Sequence, residues 1–139
     1  MFCESYFKHV ICEDVLENIY VNGNRVGYSF KIRFPSYRGT QLSCITDLTV
    51  KINGAEIDKS KILFCLNSKQ FLLSQLPELF NEYWFILDEA ELQIEHSNGL
   101  EKGEYEVDVG ISYKIPYTGY FGNYLNSSGI HSKKLCVKN

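Results

Sequence analysis

The sequence predicts an all-β fold, an antiparallel β-sandwich of about seven to nine short strands, immunoglobulin-like or jelly-roll-like. Three observations predict it. First, apolar and polar residues alternate, most cleanly over 104–115. There Tyr105, Val107, Val109, Ile111, Tyr113 and Ile115 share one face, and Glu104, Glu106, Asp108, Gly110, Ser112 and Lys114 share the other. Second, turn signals such as Asn22-Gly23-Asn24 and Asn53-Gly54 punctuate the chain, because Asn and Gly tolerate positive φ. Third, the chain is 14% aromatic, with ten Tyr, nine Phe and one Met, and Tyr and Phe favour strands.

Val10 to Cys12 suits a short edge strand, and residues 15–21 are half alternating. The Asn22-Gly23-Asn24 turn joins them to a strand over 26–34, in which Tyr28, Phe30, Ile32 and Phe34 share a face. Pro35 stops that ladder because it has no N–H to donate. A polar loop comes next, Ser36-Tyr37-Arg38-Gly39. Residues 47–52 alternate again and turn at Asn53-Gly54 into Ala55-Glu56-Ile57. Residues 58–61 form a surface turn before a strand over 62–66. Leu73, Leu76 and Phe80 have helical spacing, but Pro77 interrupts it, so a loop or a single turn is expected. Tyr83 to Leu87 reads as a strand covered on both faces. Leu92 and Ile94 alternate with Glu91, Gln93 and Glu95. Turns at Ser97-Asn98-Gly99 and Lys102-Gly103 lead to the long 104–115 strand, where Gly110 marks a bulge or a close contact. Pro116 ends it. An aromatic-bearing arm occupies about 117–139, with a last strand near Leu135 to Val137.

A chain of 139 residues reads as one domain, 1–139, large enough to bury a core without disulfides or metal. Its net charge of −3 and the lack of a basic run give no draw toward nucleic acid or an anionic membrane. No apolar run reaches the roughly 18 residues of a membrane helix. The start, Met1-Phe2-Cys3-Glu4-Ser5, lacks the pattern of a signal peptide. The five cysteines (Cys3, Cys12, Cys44, Cys65, Cys136) are odd in number and show no Cys-x-x-Cys, so reduced thiols in a cytoplasm are expected.

Motifs for independent chemistry are missing. The sequence contains no P-loop, Gly-x-Gly-x-x-Gly, Gly-x-Ser-x-Gly or His-Glu-x-x-His. The histidines, His9, His96 and His131, lie far from any cysteine pair that could complete a zinc site. Glu104, Glu106 and Asp108 fall on the outer side of a strand, which is a solvated face rather than a glycosidase pair across a cleft. Asn126-Ser127-Ser128 matches a glycosylation sequon by chance, given no export signal.

Two features suggest binding. Arg33, Tyr37 and Arg38 cluster around Pro35, and Arg and Tyr are favoured at interface hot spots. An equal reading makes Arg33 the ion-pair partner of a neighbouring acid and Tyr37 a turn ring lying on the sheet. The second feature is the tail with Tyr113, Tyr117, Tyr120, Phe121 and Tyr124; a strand can bury one of these, but the Gly-spaced run after Pro116 has no core periodicity and suits a contact surface or ligand rim.

The run Gly27 to Gly39, then Leu42-Ser43, Ile45 to Val50, Lys51-Ile-Asn-Gly54, Leu100-Glu-Lys-Gly-Glu-Tyr105 and Ile111 to Tyr117, resembles the small β subunit of bacterial C-glycoside deglycosidases. The resemblance spans roughly residues 8–120. It rests on an ordered set of segments rather than a catalytic signature. It implies an accessory subunit in a heterodimer or higher heteromer, with catalysis on a larger α subunit. That subunit is similar to sugar isomerases, with a TIM-barrel site holding a divalent metal, Mn²⁺. The implied reaction cleaves the C–C bond between a sugar and an aromatic aglycone such as a flavonoid, after the sugar C3 hydroxyl has been oxidised to a ketone. The ketone acidifies the neighbouring C–H, a base removes that proton, and the aglycone carbon leaves and is protonated. On this chain the resemblance implies no catalytic residue and no metal ligand. Arg33, Tyr37, Arg38, Tyr117, Tyr120 and Phe121 are the expected contacts with the partner near its substrate mouth. The alternative is a stand-alone carbohydrate- or flavonoid-binding module.

Overall fold

The computed structural model describes residues 10–35, 39–115 and 125–137. Among the described residues eleven strands form: β1 (Ile11–Val21), β2 (Asn24–Ile32), β3 (Thr40–Gln41), β4 (Ile45–Ile52), β5 (Ala55–Glu56), β6 (Ile62–Leu66), β7 (Lys69–Leu72), β8 (Tyr83–Trp84), β9 (Ala90–Glu95), β10 (Gly103–Ile115) and β11 (Leu125–Val137). Nine of them make one continuous sheet in the order β5-β4-β10-β11-β1-β2-β9-β6-β7, while β3 and β8 pair separately. The all-β expectation holds.

The finer arrangement departs from a fully antiparallel sandwich at β1. Its end pairs antiparallel with β2, from Glu17 opposite Ser29 to Val21 opposite Asn24. Its middle pairs parallel with β11, Val15 opposite Cys136 and Leu16 opposite Val137. Between Cys12 and Glu17 the register with β2 slips, so that four residues of β1 span the interval that one residue, Phe30, spans on β2. A bulge of this kind bends a strand and increases its twist. It joins a β5-β4-β10-β11 half to a β2-β9-β6-β7 half, and the continuous sheet curls so that the two halves share a core.

That core is built by alternation. Tyr28, Phe30 and Ile32 of β2, Leu48, Val50 and Ile52 of β4, and Ile62, Phe64 and Leu66 of β6 are buried. So are Ala90, Leu92 and Ile94 of β9 and Val107, Val109, Ile111 and Tyr113 of β10. Aromatic rings join the halves: Phe34, just after β2, lies 4.7 Å from Tyr113 and 5.3 Å from Trp84, and Trp84 lies 5.3 Å from Phe64. Tilted aromatic pairs at these distances add roughly 0.5–1.5 kcal/mol each beyond the area they bury.

The predicted hairpins form. Asn22 and Gly23 take φ of 53° and 82°, and Asn53 and Gly54 take 50° and 84°. Gly110 makes the close contact expected of it, for a Cβ there would stand 2.5 Å from Thr49 Oγ1. The turn at 99–100 is clamped by Asn18. Its Nδ2 donates to the Leu100 carbonyl at 2.9 Å and its Oδ1 accepts from the Leu100 N–H at 2.8 Å.

One strand was not anticipated, and two expectations need correcting. A third hairpin, through Asn67 and Ser68 at φ 55° and 64°, leads into β7, which the polar run Lys69-Gln70 disguised. The last strand runs from Leu125, not from Leu135, because β10 pairs with it along all thirteen residues. And 83–87 is not a strand covered on both faces: β8 is only Tyr83–Trp84, and the chain turns directly after it. The 73–80 region contains a six-residue 3-10 helix, Leu73–Glu78, with Pro77 inside it. A helix of that type tolerates a proline that would break a longer α-helix.

Candidate functional site

Of the expected contact residues, Arg33 lies within the described part of the chain. Tyr37, Arg38, Tyr117, Tyr120 and Phe121 lie outside the described residues. Arg33 comes directly after β2, where its N–H donates to the Val10 carbonyl at 2.7 Å. Its side chain is half exposed, and Nη2 sits 3.3 Å from Glu89 Oε2. An exposed pair of this length is worth little stability, about 0–1 kcal/mol, so the guanidinium is held loosely at the surface.

Phe34, Pro35 and Gly39, which flank the polar loop, meet around Trp84 and Tyr113. Phe34 is buried against Trp84 and Tyr113. The Tyr113 hydroxyl donates to the Pro35 carbonyl at 3.4 Å. Gly39 presses against β8 from the other side. A Cβ there would stand 2.3 Å from the Trp84 carbonyl oxygen, 2.8 Å from the Tyr83 ring and 3.1 Å from Phe85 Cα. Only glycine permits that approach. Next to it Thr40 is buried, and among the described residues its Oγ1 has no hydrogen-bond partner. Pro35 and Gly39, the two ends of the polar loop, are therefore each fixed to a core aromatic or its strand.

β8 opens into an apolar surface that the alternation pattern did not predict. Trp84 is fully buried, yet its neighbours point outward: Phe80 is 67% exposed, Tyr83 37%, Phe85 58% and Leu87 82%. The Tyr83 and Phe85 rings lie 4.6 Å apart. A signal was present in the chain, since the turn Asn81-Glu82 and the acidic pair Asp88-Glu89 leave Tyr83 to Leu87 too short and too uniformly apolar to alternate.

Elsewhere, a groove of about 360 Å³ crosses the outer face of β2, β9, β6 and β7, lined in part by Ile19, Val26, Leu63 and Leu72, with Lys61 and Glu95 at its edge. The carboxylates Glu104 and Glu106 are exposed on the outer face of β10, as a solvated face requires. Burial, and then the charge of Glu91, push the Cys65 thiol up, away from the nucleophilic thiolate. Burial pushes the half-buried His131 imidazole down. Among the described residues no three His, Cys, Asp or Glu side chains gather as a metal site would need. No helix among the described residues is long and apolar enough to cross a membrane.

Comparison with known proteins gives a consistent result. The family model described as C-glycoside deglycosidase beta subunit matches residues 6–117. The chain is 30% identical over 112 residues to the 3'-dehydrocarminate deglycosidase beta subunit of a Microbacterium species, covering 81% of this chain and 84% of that protein. It is 28% identical over 96 residues to the C-glycoside deglycosidase beta subunit of Eubacterium cellulosolvens, covering 69% of this chain and 65% of that protein. A beta subunit of the same name from Arthrobacter globiformis is 28% identical over 85 residues, covering 61% of this chain and 64% of its own length. The matched span takes in the curled sheet through β10, the tight Gly39 approach and the apolar turn after β8. The chain therefore belongs to the C-glycoside deglycosidase beta subunit family.

Proposed function

We propose that this protein is the accessory subunit of a carbon–carbon lyase that releases the aglycone from 3-oxo-C-glucosides of flavonoids. The family match over residues 6–117 carries the reading, since a beta subunit works with a partner. The partner is a TIM-barrel, sugar-isomerase-like alpha subunit in a cytoplasmic heterodimer or higher heteromer, and it supplies the base and a divalent cation, Mn²⁺. In the reaction the C–H beside the ketone and the bond from sugar to aglycone both break. A sugar C=C conjugated to the ketone forms, and the aglycone carbon takes up a proton. The beta chain contributes no reacting group. Its task is to brace the alpha subunit and wall the substrate mouth, with Arg33, Tyr37, Arg38, Tyr117, Tyr120 and Phe121 on the side that meets it.

The test is co-expression with the cognate alpha subunit and assay on a 3-oxo-C-glucoside of a flavonoid. Turnover is expected from the two chains together, to be lost with a chelator and absent from the beta chain alone. Full turnover by the alpha subunit without this chain would refute the accessory role. The second reading, a stand-alone binder, draws on the apolar groove over β2, β9, β6 and β7. Micromolar binding of a flavonoid or its C-glucoside to the isolated chain would favour it.

A further inference from the structure

The apolar turn after β8 has no role in the core. Phe80, Tyr83, Phe85 and Leu87 fall within eight residues of chain, and all four are exposed. Turns at a protein surface are ordinarily polar, with Gly, Pro, Asn, Asp and Ser. Taking about 200 Å² for a whole side chain of this class, the four expose on the order of 500 Å² of largely apolar surface. That is about 60% of the roughly 800 Å² that each partner contributes to a standard stable interface.

The surface is also pre-formed. Trp84 anchors the turn from below, its Nε1–H donating to the Asp88 carbonyl at 2.9 Å. The Asp88 N–H closes the turn on the Phe85 carbonyl at 3.0 Å. The preceding stretch is tied down by Leu42 N–H to the Glu82 carbonyl at 2.9 Å, and by the β3–β8 pairing. Little chain entropy is left to lose when such a turn binds. Ion pairs bracket it in sequence: Lys69 with Glu82 at 2.7 Å, and Arg33 with Glu89 at 3.3 Å. An apolar centre with a charged rim is the usual make-up of a protein interface.

We propose that Phe80, Tyr83, Phe85 and Leu87 form the surface on which the alpha subunit seats. The proposal rests on the subunit reading above, which supplies the occupant. It goes beyond that reading by placing the contact on β8 and the turn after it. The site lies beside Gly39, where a Cβ would stand 2.8 Å from the Tyr83 ring.

The experiment measures binding of tagged cognate alpha subunit to the full chain by titration calorimetry and gel filtration. Phe85→Glu with Leu87→Glu is compared with Ile130→Glu, which alters an equally open side chain, 74% exposed, on β11. The double variant is expected to weaken binding at least a hundredfold and Ile130→Glu less than threefold. Trp84 emission should be unchanged in both. If the wild-type chain does not bind the alpha subunit, the subunit reading falls and the proposal falls with it. If the wild type binds and the double variant binds as tightly, the subunit reading stands and this surface is refuted. Loss of self-association alone, with binding to the alpha subunit intact, also overturns it, as does an equal loss in Ile130→Glu. Should the double variant misfold, Leu87→Ser, changing a side chain that is 82% exposed, takes its place with a tenfold loss expected.

Discussion

Gly39→Ala tests the geometry on which the site depends. The added Cβ would stand 2.3 Å from the Trp84 carbonyl oxygen, against an ordinary contact of 3.4 Å or more, so about 1 Å must open between the chains. The obstacle is backbone, which cannot swing aside. Gly39 does not have a positive φ, so the cost is one of space and not of backbone conformation. Over-packing of this kind costs about 1–3 kcal/mol. Straining the short β3–β8 ladder endangers hydrogen bonds worth about 1 kcal/mol each. A total near 2–3 kcal/mol is expected, which for a chain of this size lowers Tm by roughly 6–12 °C. Gly54→Ala is the comparison. It has open space around it but a φ of 84°, so it reports conformational cost alone, about 1–2 kcal/mol. The assays are urea denaturation and fluorescence. The chain has one tryptophan, and it is Trp84, so native emission reports this spot alone. Gly39→Ala should shift emission to the red while Gly54→Ala leaves it in place. A Gly39→Ala protein within about 0.5 kcal/mol of wild type, with unshifted emission, would refute the close approach. The apolar turn would then no longer stand against Gly39.

Two further outcomes concern the same region and the core. Thr40→Val removes a buried hydroxyl that has no partner among the described residues, keeping its shape. Stability should rise by about 1 kcal/mol in urea denaturation, and a loss of that size would mean that the hydroxyl is in fact bonded. Tyr28, buried on the inner face of β2, has its phenol pushed up to about 12 by desolvation. Because its folded pKa lies above the unfolded value near 10, its contribution is intact below pH 10. It fades as pH rises through 12, by on the order of 2 kcal/mol. Tyr28→Phe should flatten that part of the alkaline stability curve, and parallel curves for the two proteins would count against the assignment.

The parts of this structure that were legible in the sequence are those decided by neighbours. Asn22-Gly23 and Asn53-Gly54 specify tight hairpins by their φ preferences, and the alternation over 104–115 specifies which side of β10 is buried. The features that were not legible depend on residues far apart. No local pattern pairs Val15 with Cys136, and the β1 bulge that lets it happen leaves no composition mark. The misreading at Tyr83 to Leu87 has a different cause. Five apolar residues in a row imply burial on both faces, and one of them, Trp84, is indeed fully buried. For Phe85 and Leu87 the implied burial does not come from this chain, although its turn is closed and its hydrogen bonds are made. Sequence pattern and burial agree along β2, β4, β6, β9 and β10, so a local conflict of this kind is itself informative. A side chain written for a dry environment but left in water by its own fold belongs to a surface completed by another molecule. In a family of beta subunits, the partner chain is the occupant proposed for it.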